Sequence, residues 1–384
     1  MSKILIINIP AHGHINPTLE LTTKLVSIGH DVTYLAGETF KDKIEKTGAK
    51  FKGYVEENNV EYGIGNILRT NVRVYDLALG IAKNYDCIIY ENAFFLGKKL
   101  GEKLNKPTIR LITTFALTKN IIEKIVEGTE EGSNLLGNKE YRRDVVSKIL
   151  PQWEFKNDDI LDEVLENPGD LNIVYTTSSF QIESDKFNKD IFKFIGPSIM
   201  DRREDIDIPF DRMGNNIVYV SLGTVYNNSL EFFKTCIEAL KNEKVSVIMS
   251  VGKSIDKKAL GHIPDNIYVY DYVPQLEVLK HAKLFITHGG MNSTNEGMFF
   301  QVPLVIVPQS VDQPVVANRI LELGLGKVID KNEVTSKNIK ACCLEVLNND
   351  MYRRNMVNMK EDILAAGGVN RAIEEIENLL QKVL

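Results

Sequence analysis

The sequence predicts an α/β protein of two doubly wound domains, each a parallel sheet with helices on both faces. Three observations carry this. A chain of 384 residues exceeds what one hydrophobic core organises. Short apolar runs alternate with amphipathic stretches of helical period, the pattern of parallel strands joined by helices. That alternation stops in a charged, Pro- and Gly-punctuated stretch and then restarts.

The elements follow in order. Residues 4–9 form an apolar run of the length of a buried strand. Pro17 opens a helical stretch with Leu21, Leu25 and Ile28 on one face, and Gly29 stands where a helix C-terminus favours glycine. Residues 32–36, 87–90 and 108–112 read as further strands, with a helix at 96–104. The stretch 120–189 is richer in charge and weaker in period. It contains the sole tryptophan, Trp153, and is expected to form helices over the top of the first domain. The break spans 198–216, with Asp201-Arg202-Arg203-Glu204-Asp205 followed by Pro209, Gly214 and Asn215. Beyond it, strands are expected at 217–222, 245–251, 267–270, 284–287 and 304–307, with a helix at 230–240 and others between. Two such sheets, expected to face each other across a cleft, carry their ligand sites at strand C-termini.

Composition narrows the function. The 46 basic and 52 acidic residues, net −6, lack the basic field of a nucleic-acid binder. With 43% hydrophobic and 26% charged residues, the chain is neither disordered nor fibrous. The apolar run after Lys3 is too short for a signal peptide, and no segment approaches the roughly 20 apolar residues of a membrane span. A cytoplasmic protein without stable membrane insertion is the expectation. Cys87, Cys236, Cys342 and Cys343 form no CxxC pair and read as core thiols.

The densest chemical signal lies in the second half. Tyr272-Val273-Pro274-Gln275 is followed by Thr287-His288-Gly289-Gly290-Met291-Asn292-Ser293-Thr294-Asn295-Glu296-Gly297 and then by Val311-Asp312-Gln313-Pro314. The middle block reads as a strand ending at Thr287, a Gly-Gly turn, and a helix beginning near Asn292. Glycines admit a ligand close to the backbone, and the helix N-terminus offers N–H groups and a positive dipole end, a site suited to phosphate. His288, Asn292 and Ser293 add donors, and Glu296, one turn further in, can reach a ribose diol from the same face. Taken alone, the block also suits a plain tight turn and helix cap; the histidine, the Pro-Gln and the Asp-Gln are left over. His288 and its neighbours lack the carboxylate companions of a hard cation, so no metal is expected.

Together, residues 272–313 resemble the donor-binding signature of the inverting family-1 UDP-glycosyltransferases, in particular their bacterial macrolide-type branch, which also glycosylates flavonoids and other phenols. The resemblance covers nearly the whole chain. It includes His12-Gly13-His14-Ile15-Asn16-Pro17, Ser221-Leu222-Gly223-Thr224, and Gly367-Gly368-Val369-Asn370-Arg371-Ala372. It implies the two Rossmann-like domains of the GT-B fold: an acceptor-binding domain at 1–200, a linker at 201–216, a UDP-sugar-binding domain at 217–365, and a C-terminal helix at 366–384 that packs back on the first domain. It further implies that Tyr272 stacks on uracil where the family usually has tryptophan. Val273 and Gln275 would hold base and ribose, and His288, Gly290, Asn292, Ser293, Ser221 and Thr224 the diphosphate. Glu296 would take the ribose hydroxyls, and Asp312 with Gln313 those of the donor sugar. The implied activity is metal-free transfer of a hexose, glucose foremost, from UDP to a hydroxyl of a small apolar natural product such as a macrolide, flavonoid or other phenol.

Inverting transfer needs a base for the acceptor hydroxyl, and histidine serves near neutral pH. His12 and His14 both follow the first strand, and their alternate spacing suits opposite sides of an extended loop. The family's base is the histidine directly before Ile-Asn-Pro, which implies His14 here and a structural place for His12. Its carboxylate partner would be Glu91, where related proteins usually carry aspartate, so this chain departs from the pattern. Phe94, Phe95, Phe115 and the loop 58–69 are candidates for an acceptor pocket but suit a plain core better, and Thr114 is placed to touch the sugar. Two other functions fit the same fold: a sugar-nucleotide epimerase, and a non-catalytic UDP-sugar-binding auxiliary protein, motivated by Glu91. Lys98, Lys99 and Lys103 faintly suggest a membrane-surface glycolipid synthase.

Overall fold

The computed structural model describes residues 1–55, 64–126, 168–200, 206–223, 229–309 and 312–383, with a few single positions between 139 and 166. The chain divides into two compact units, Met1–Ser198 with Leu364–Leu384, and Ile199–Ile363.

In the first unit the strands are β1 (Lys3–Ile7), β2 (Asp31–Gly37), β3 (Lys50–Tyr54), β4 (Cys87–Glu91), β5 (Thr108–Ile112), β6 (Leu171–Val174) and β7 (Phe192–Phe194). They form one parallel sheet in the order β3-β2-β1-β4-β5-β6-β7. Strand β1 lies between β2 and β4, with Ile7 level with Leu35 on one side and Tyr90 on the other. The order therefore reverses between β1 and β4, and side chains beyond their C-terminal ends share the crevice where α/β sheets bind ligands. Both faces of β1, β4 and β5 are buried, which explains their unbroken apolar runs.

The helices of this unit are α1 (His12–Ile15), α2 (Leu19–Ser27), α3 (Lys41–Glu45), α4 (Ile64–Ala82), α5 (Gly97–Leu104) and α6 (Lys119–Val126). Several expectations are corrected here. Pro17 sits in a 3₁₀ turn, Asn16–Thr18, ahead of α2, and Ile28 lies past its end at 47% exposure rather than on the apolar face. Gly29 does take the left-handed conformation expected after a helix, at φ 98°. His12 and His14 occupy the single helical turn α1, not an extended loop. The stretch 120–189 contains strand β6, whose short apolar run is broken by Asn172. The loop 58–69 is helical from Ile64 onward, while its positions 58–63, like Trp153, lie outside the described residues. Lys98 is paired with Asp170 at 2.6 Å, which accounts for one of the three lysines of the membrane-surface hint.

The second unit repeats the plan. Strands β8 (Ile217–Ser221), β9 (Ser246–Ser250), β10 (Ile267–Tyr270), β11 (Ala282–Thr287), β12 (Leu304–Ile306) and β13 (Gly326–Val328) form a parallel sheet ordered β10-β9-β8-β11-β12-β13. It reverses between β8 and β11, where Ser221 stands level with Thr287. Helices α7 (Leu230–Leu240), α8 (Gln275–His281), α9 (Met291–Phe299), α10 (Gln313–Glu322), α11 (Ser336–Asn348) and α12 (Asp350–Ala365) complete it. Part of the expected linker packs on this unit: Ile208 is buried, and Phe210 stacks on His281 with ring centres 4.0 Å apart. Two apolar residues in a charged stretch are too few to show as a pattern. The last helix, α13 (Gly368–Val383), lies on the first unit, burying Val369, Ala372, Ile376 and Leu380. It is tied there by Gly368 N–H to the Ile195 carbonyl at 2.8 Å and by His30 to Glu377 at 2.8 Å.

Cys87, Cys236 and Cys343 are buried free thiols and Cys342 is half-buried, as the sequence led one to expect. Among the described residues no helix is long and apolar enough to cross a membrane.

Candidate active site

His14, Glu91 and Thr113 come from three neighbouring strands of the first sheet. His14 is in α1 just past β1, Glu91 ends β4, and Thr113 follows β5. His14 Nδ1 lies 2.9 Å from Glu91 Oε1, with the histidine 27% exposed and the glutamate 1% exposed. Glu91 is therefore no solvated loop residue. Its Oε1 also accepts from the Thr113 hydroxyl at 2.8 Å, and its Oε2 from the Ala93 N–H at 2.8 Å. Burial by itself raises this carboxyl, but the adjacent His14 and these hydrogen bonds outweigh burial and hold it below the ordinary carboxylate range. An ionised Glu91 only accepts, so Nδ1 of His14 carries the proton and a neutral imidazole keeps its lone pair on Nε2. That is the arrangement of a general base oriented by a carboxylate.

Thr113, 3.2 Å from His14 Nδ1 as well, is not among the candidates the sequence offers. The available signal was a hydroxyl directly after a buried strand. His12 turns the other way and packs edge-on against Phe40, with ring centres 4.8 Å apart. Phe94 and Phe115 are core residues, Phe94 under α4 and Phe115 stacked on Phe180, while Phe95 is partly exposed at the edge of that core.

In the second unit the Gly-Gly turn follows β11 and leads into α9, which has Gly290 as its N-cap and no side chain capping its first turn. The backbone N–H groups there suit an anion. His288 is wedged between glycines. A Cβ on Gly223 (φ 76°) would lie 2.6 Å from its ring, and one on Gly290 would collide with its Nε2. Burial lowers the His288 imidazole to about 4, so it is neutral near pH 7. Ser221 Oγ, at the end of β8, accepts from Gly223 N–H at 3.3 Å. Thr224 lies outside the described residues.

Gln275, Ser293 and Glu296 meet, although 18 to 21 residues separate Gln275 from the other two. Gln275 Nε2 donates to Glu296 Oε2 at 2.6 Å and approaches Ser293 Oγ at 3.4 Å, while Tyr219 donates to Gln275 Oε1 at 3.1 Å. Ser293 and Glu296 are buried, and Asn292 is partly exposed. Val273 is buried, so only its backbone is offered, whereas Tyr272 is 45% exposed and presents an aromatic plane. Asp312 occupies the N-cap position of α10 without a side-chain capping bond, and the buried Gln313 takes the Gln309 N–H on its Oε1 at 2.8 Å. Among the described residues no three His, Cys, Asp or Glu side chains gather as metal ligands would.

Two doubly wound parallel sheets, one with a carboxylate-oriented histidine and the other with a phosphate-type turn, define a nucleotide-dependent α/β transferase. Residues 236–379 match the model of the erythromycin biosynthesis protein CIII-like C-terminal domain. The uncharacterized UDP-glucosyltransferase YojK of Bacillus subtilis is 34% identical, covering 98% of this chain and 97% of that protein. The NDP-glycosyltransferase YjiC of the same organism is 37% identical, covering 99% and 97%. Among solved structures, that of the calicheamicin glycosyltransferase CalG4 is 27% identical with a TM-score of 0.81, covering 100% of this chain and 99% of its own. The chain belongs to the bacterial family-1 UDP-glycosyltransferases, has their GT-B fold, and is a hexosyltransferase.

Proposed function

We propose that this enzyme transfers glucose from UDP-glucose, with inversion, to a hydroxyl of a small apolar natural product such as a macrolide, flavonoid or other phenol. The observation that carries the proposal is the pairing of His14 Nδ1 with buried Glu91 at 2.9 Å, which leaves Nε2 as the base. His14 takes the acceptor proton as the acceptor oxygen attacks the anomeric carbon of the α-linked donor. The C1–O bond to UDP breaks, and a β-glycoside forms. The leaving diphosphate is met by the N-terminus of α9 with neutral His288, Asn292, Ser293 and Ser221, and no metal takes part. Gln275 and Glu296 hold the ribose, Tyr272 and the Val273 backbone the base, and Asp312 with Gln313 the sugar hydroxyls. The relatives support this acceptor class by what they are called: one matching protein is the oleandomycin glycosyltransferase of Streptomyces antibioticus, 26% identical over 98% of this chain.

A panel of macrolide, flavonoid and simple phenol acceptors, incubated with several UDP-sugars and read by mass spectrometry and NMR, tests the proposal. A β-linked glucoside is expected, with at least ~10²-fold loss in His14→Ala. An α-linked product refutes inversion, and wild-type rates in His14→Ala refute the base.

A further inference from the structure

Under the turn that carries His14 lies a buried polar chain that the signature motifs do not include. Asn8 follows β1, Tyr34 lies within β2, and Thr18 precedes α2; all three are fully buried. The Thr18 hydroxyl donates to the Ile15 carbonyl at 2.8 Å, which uses its one proton. Its 2.7 Å contact with the Tyr34 hydroxyl therefore has tyrosine as donor. Tyr34 in turn accepts from Asn8 Nδ2 at 2.9 Å, and the same amide nitrogen donates to the His14 carbonyl at 3.0 Å. Every proton in the chain is thus assigned, and it ends on two consecutive carbonyls, those of His14 and Ile15.

The backbone of Asn8 is held too, its N–H by the Leu35 carbonyl at 3.0 Å and its own carbonyl by the Tyr54 hydroxyl at 2.9 Å. Its Oδ1, by contrast, is buried without a hydrogen-bond partner. An aliphatic residue would continue β1 without leaving that atom unsatisfied, so the amide stands there at a cost in desolvation. A four-residue helical turn does not hold itself, since short helices are marginal without outside contacts. The orientation of the His14 backbone must come from elsewhere, and the Asn8–Tyr34–Thr18 chain supplies it. Burial keeps the Tyr34 phenol well above its ordinary range, so the donor is never lost to ionisation.

We infer that Asn8 and Tyr34 are positioning residues for the transfer reaction: Asn8 holds the His14 carbonyl directly, Tyr34 holds the Ile15 carbonyl through Thr18, and together they set where the imidazole presents Nε2. This rests on His14 being the base, so the test separates the two claims. Tyr34→Phe, Asn8→Leu and His14→Ala are compared with UDP-glucose and two phenols of similar size, 4-methoxyphenol and the far more acidic 4-nitrophenol. A misplaced base matters most where the acceptor must be deprotonated during attack. Tyr34→Phe is expected to lower kcat roughly 10- to 100-fold with 4-methoxyphenol and much less with 4-nitrophenol, with KM for UDP-glucose unchanged. Asn8→Leu, which keeps the volume, should give the same split. Equal losses with both phenols, or a change in thermal midpoint alone, overturns the inference. If His14→Ala itself shows no split, the base assignment falls instead.

Discussion

Replacing Glu91 by glutamine keeps the side chain's size and removes one charge and one acceptor. Its two oxygens serve three donors: His14 Nδ1–H at 2.9 Å and the Thr113 hydroxyl at 2.8 Å on Oε1, and the Ala93 N–H at 2.8 Å on Oε2. Glutamine has one oxygen. If that oxygen faces Ala93, an amide NH₂ faces His14, whose Nδ1 must then accept, and the proton moves to Nε2 where the base is needed. If it faces His14, the Ala93 N–H meets another donor. In both cases the imidazolium formed on transfer loses its counter-charge. At 2.9 Å and an effective dielectric of about 20 that attraction is ~6 kcal/mol. Solvent screens part of it, because His14 is 27% exposed. A loss of about 3–5 kcal/mol in the transition state lowers kcat ~10²- to 10⁴-fold. KM for UDP-glucose should hold, since the proposed donor residues belong to the other unit. UDP release with 4-methoxyphenol measures both constants, and a kcat within about 3-fold of wild type refutes the reasoning. Glu91→Asp should fall between, because one methylene less withdraws the carboxylate by about 1.5 Å from a histidine placed for glutamate.

Two further outcomes follow from the second unit. His288 has its folded-state value lowered from 6.5 to about 4, so between those values the unfolded chain binds a proton that the folded chain refuses. Its contribution is present above pH 6.5 and lost as pH falls toward 4, by up to about 3 kcal/mol. Urea unfolding at pH 7 and pH 4.5 should therefore show a smaller acid-induced loss in His288→Gln than in wild type, and equal losses contradict the assignment. Gly290→Ala puts a Cβ into the His288 ring and should raise KM for UDP-glucose by about 10-fold or more with a smaller effect on kcat. An unchanged KM would place the diphosphate elsewhere.

The fold is legible because parallel strands declare themselves as apolar runs and helices by their amphipathic period: strands 108–112 and 267–270 and helix 230–240 match to the residue. Strands β3, β6, β7 and β13 are not, since Lys50 and Lys52, Asn172, Lys193 and Lys327 interrupt their short apolar runs. The turn ahead of α9 is legible because Gly-Gly before a helix has a local reason, the left-handed conformation that Gly289 takes there. Thr113 had no such mark. Its place beside Glu91 comes from following β5, the strand paired with β4, and adjacency in a sheet is not adjacency in sequence.

The sequence alone therefore determined the class: two wound sheets, a family signature in the middle of the second, and a histidine after the first strand. It left the standing of Glu91 open, because a longer carboxylate in a loop has many conformations. Only the tertiary structure decided that. The reversal of strand order between β1 and β4 brings His14 and Glu91 together, and burial with three donors confines the extra methylene to one geometry. The same reversal, between β8 and β11, sets His288 against Gly223. Residues far apart in the chain acquire chemistry from strand order, which local pattern does not encode.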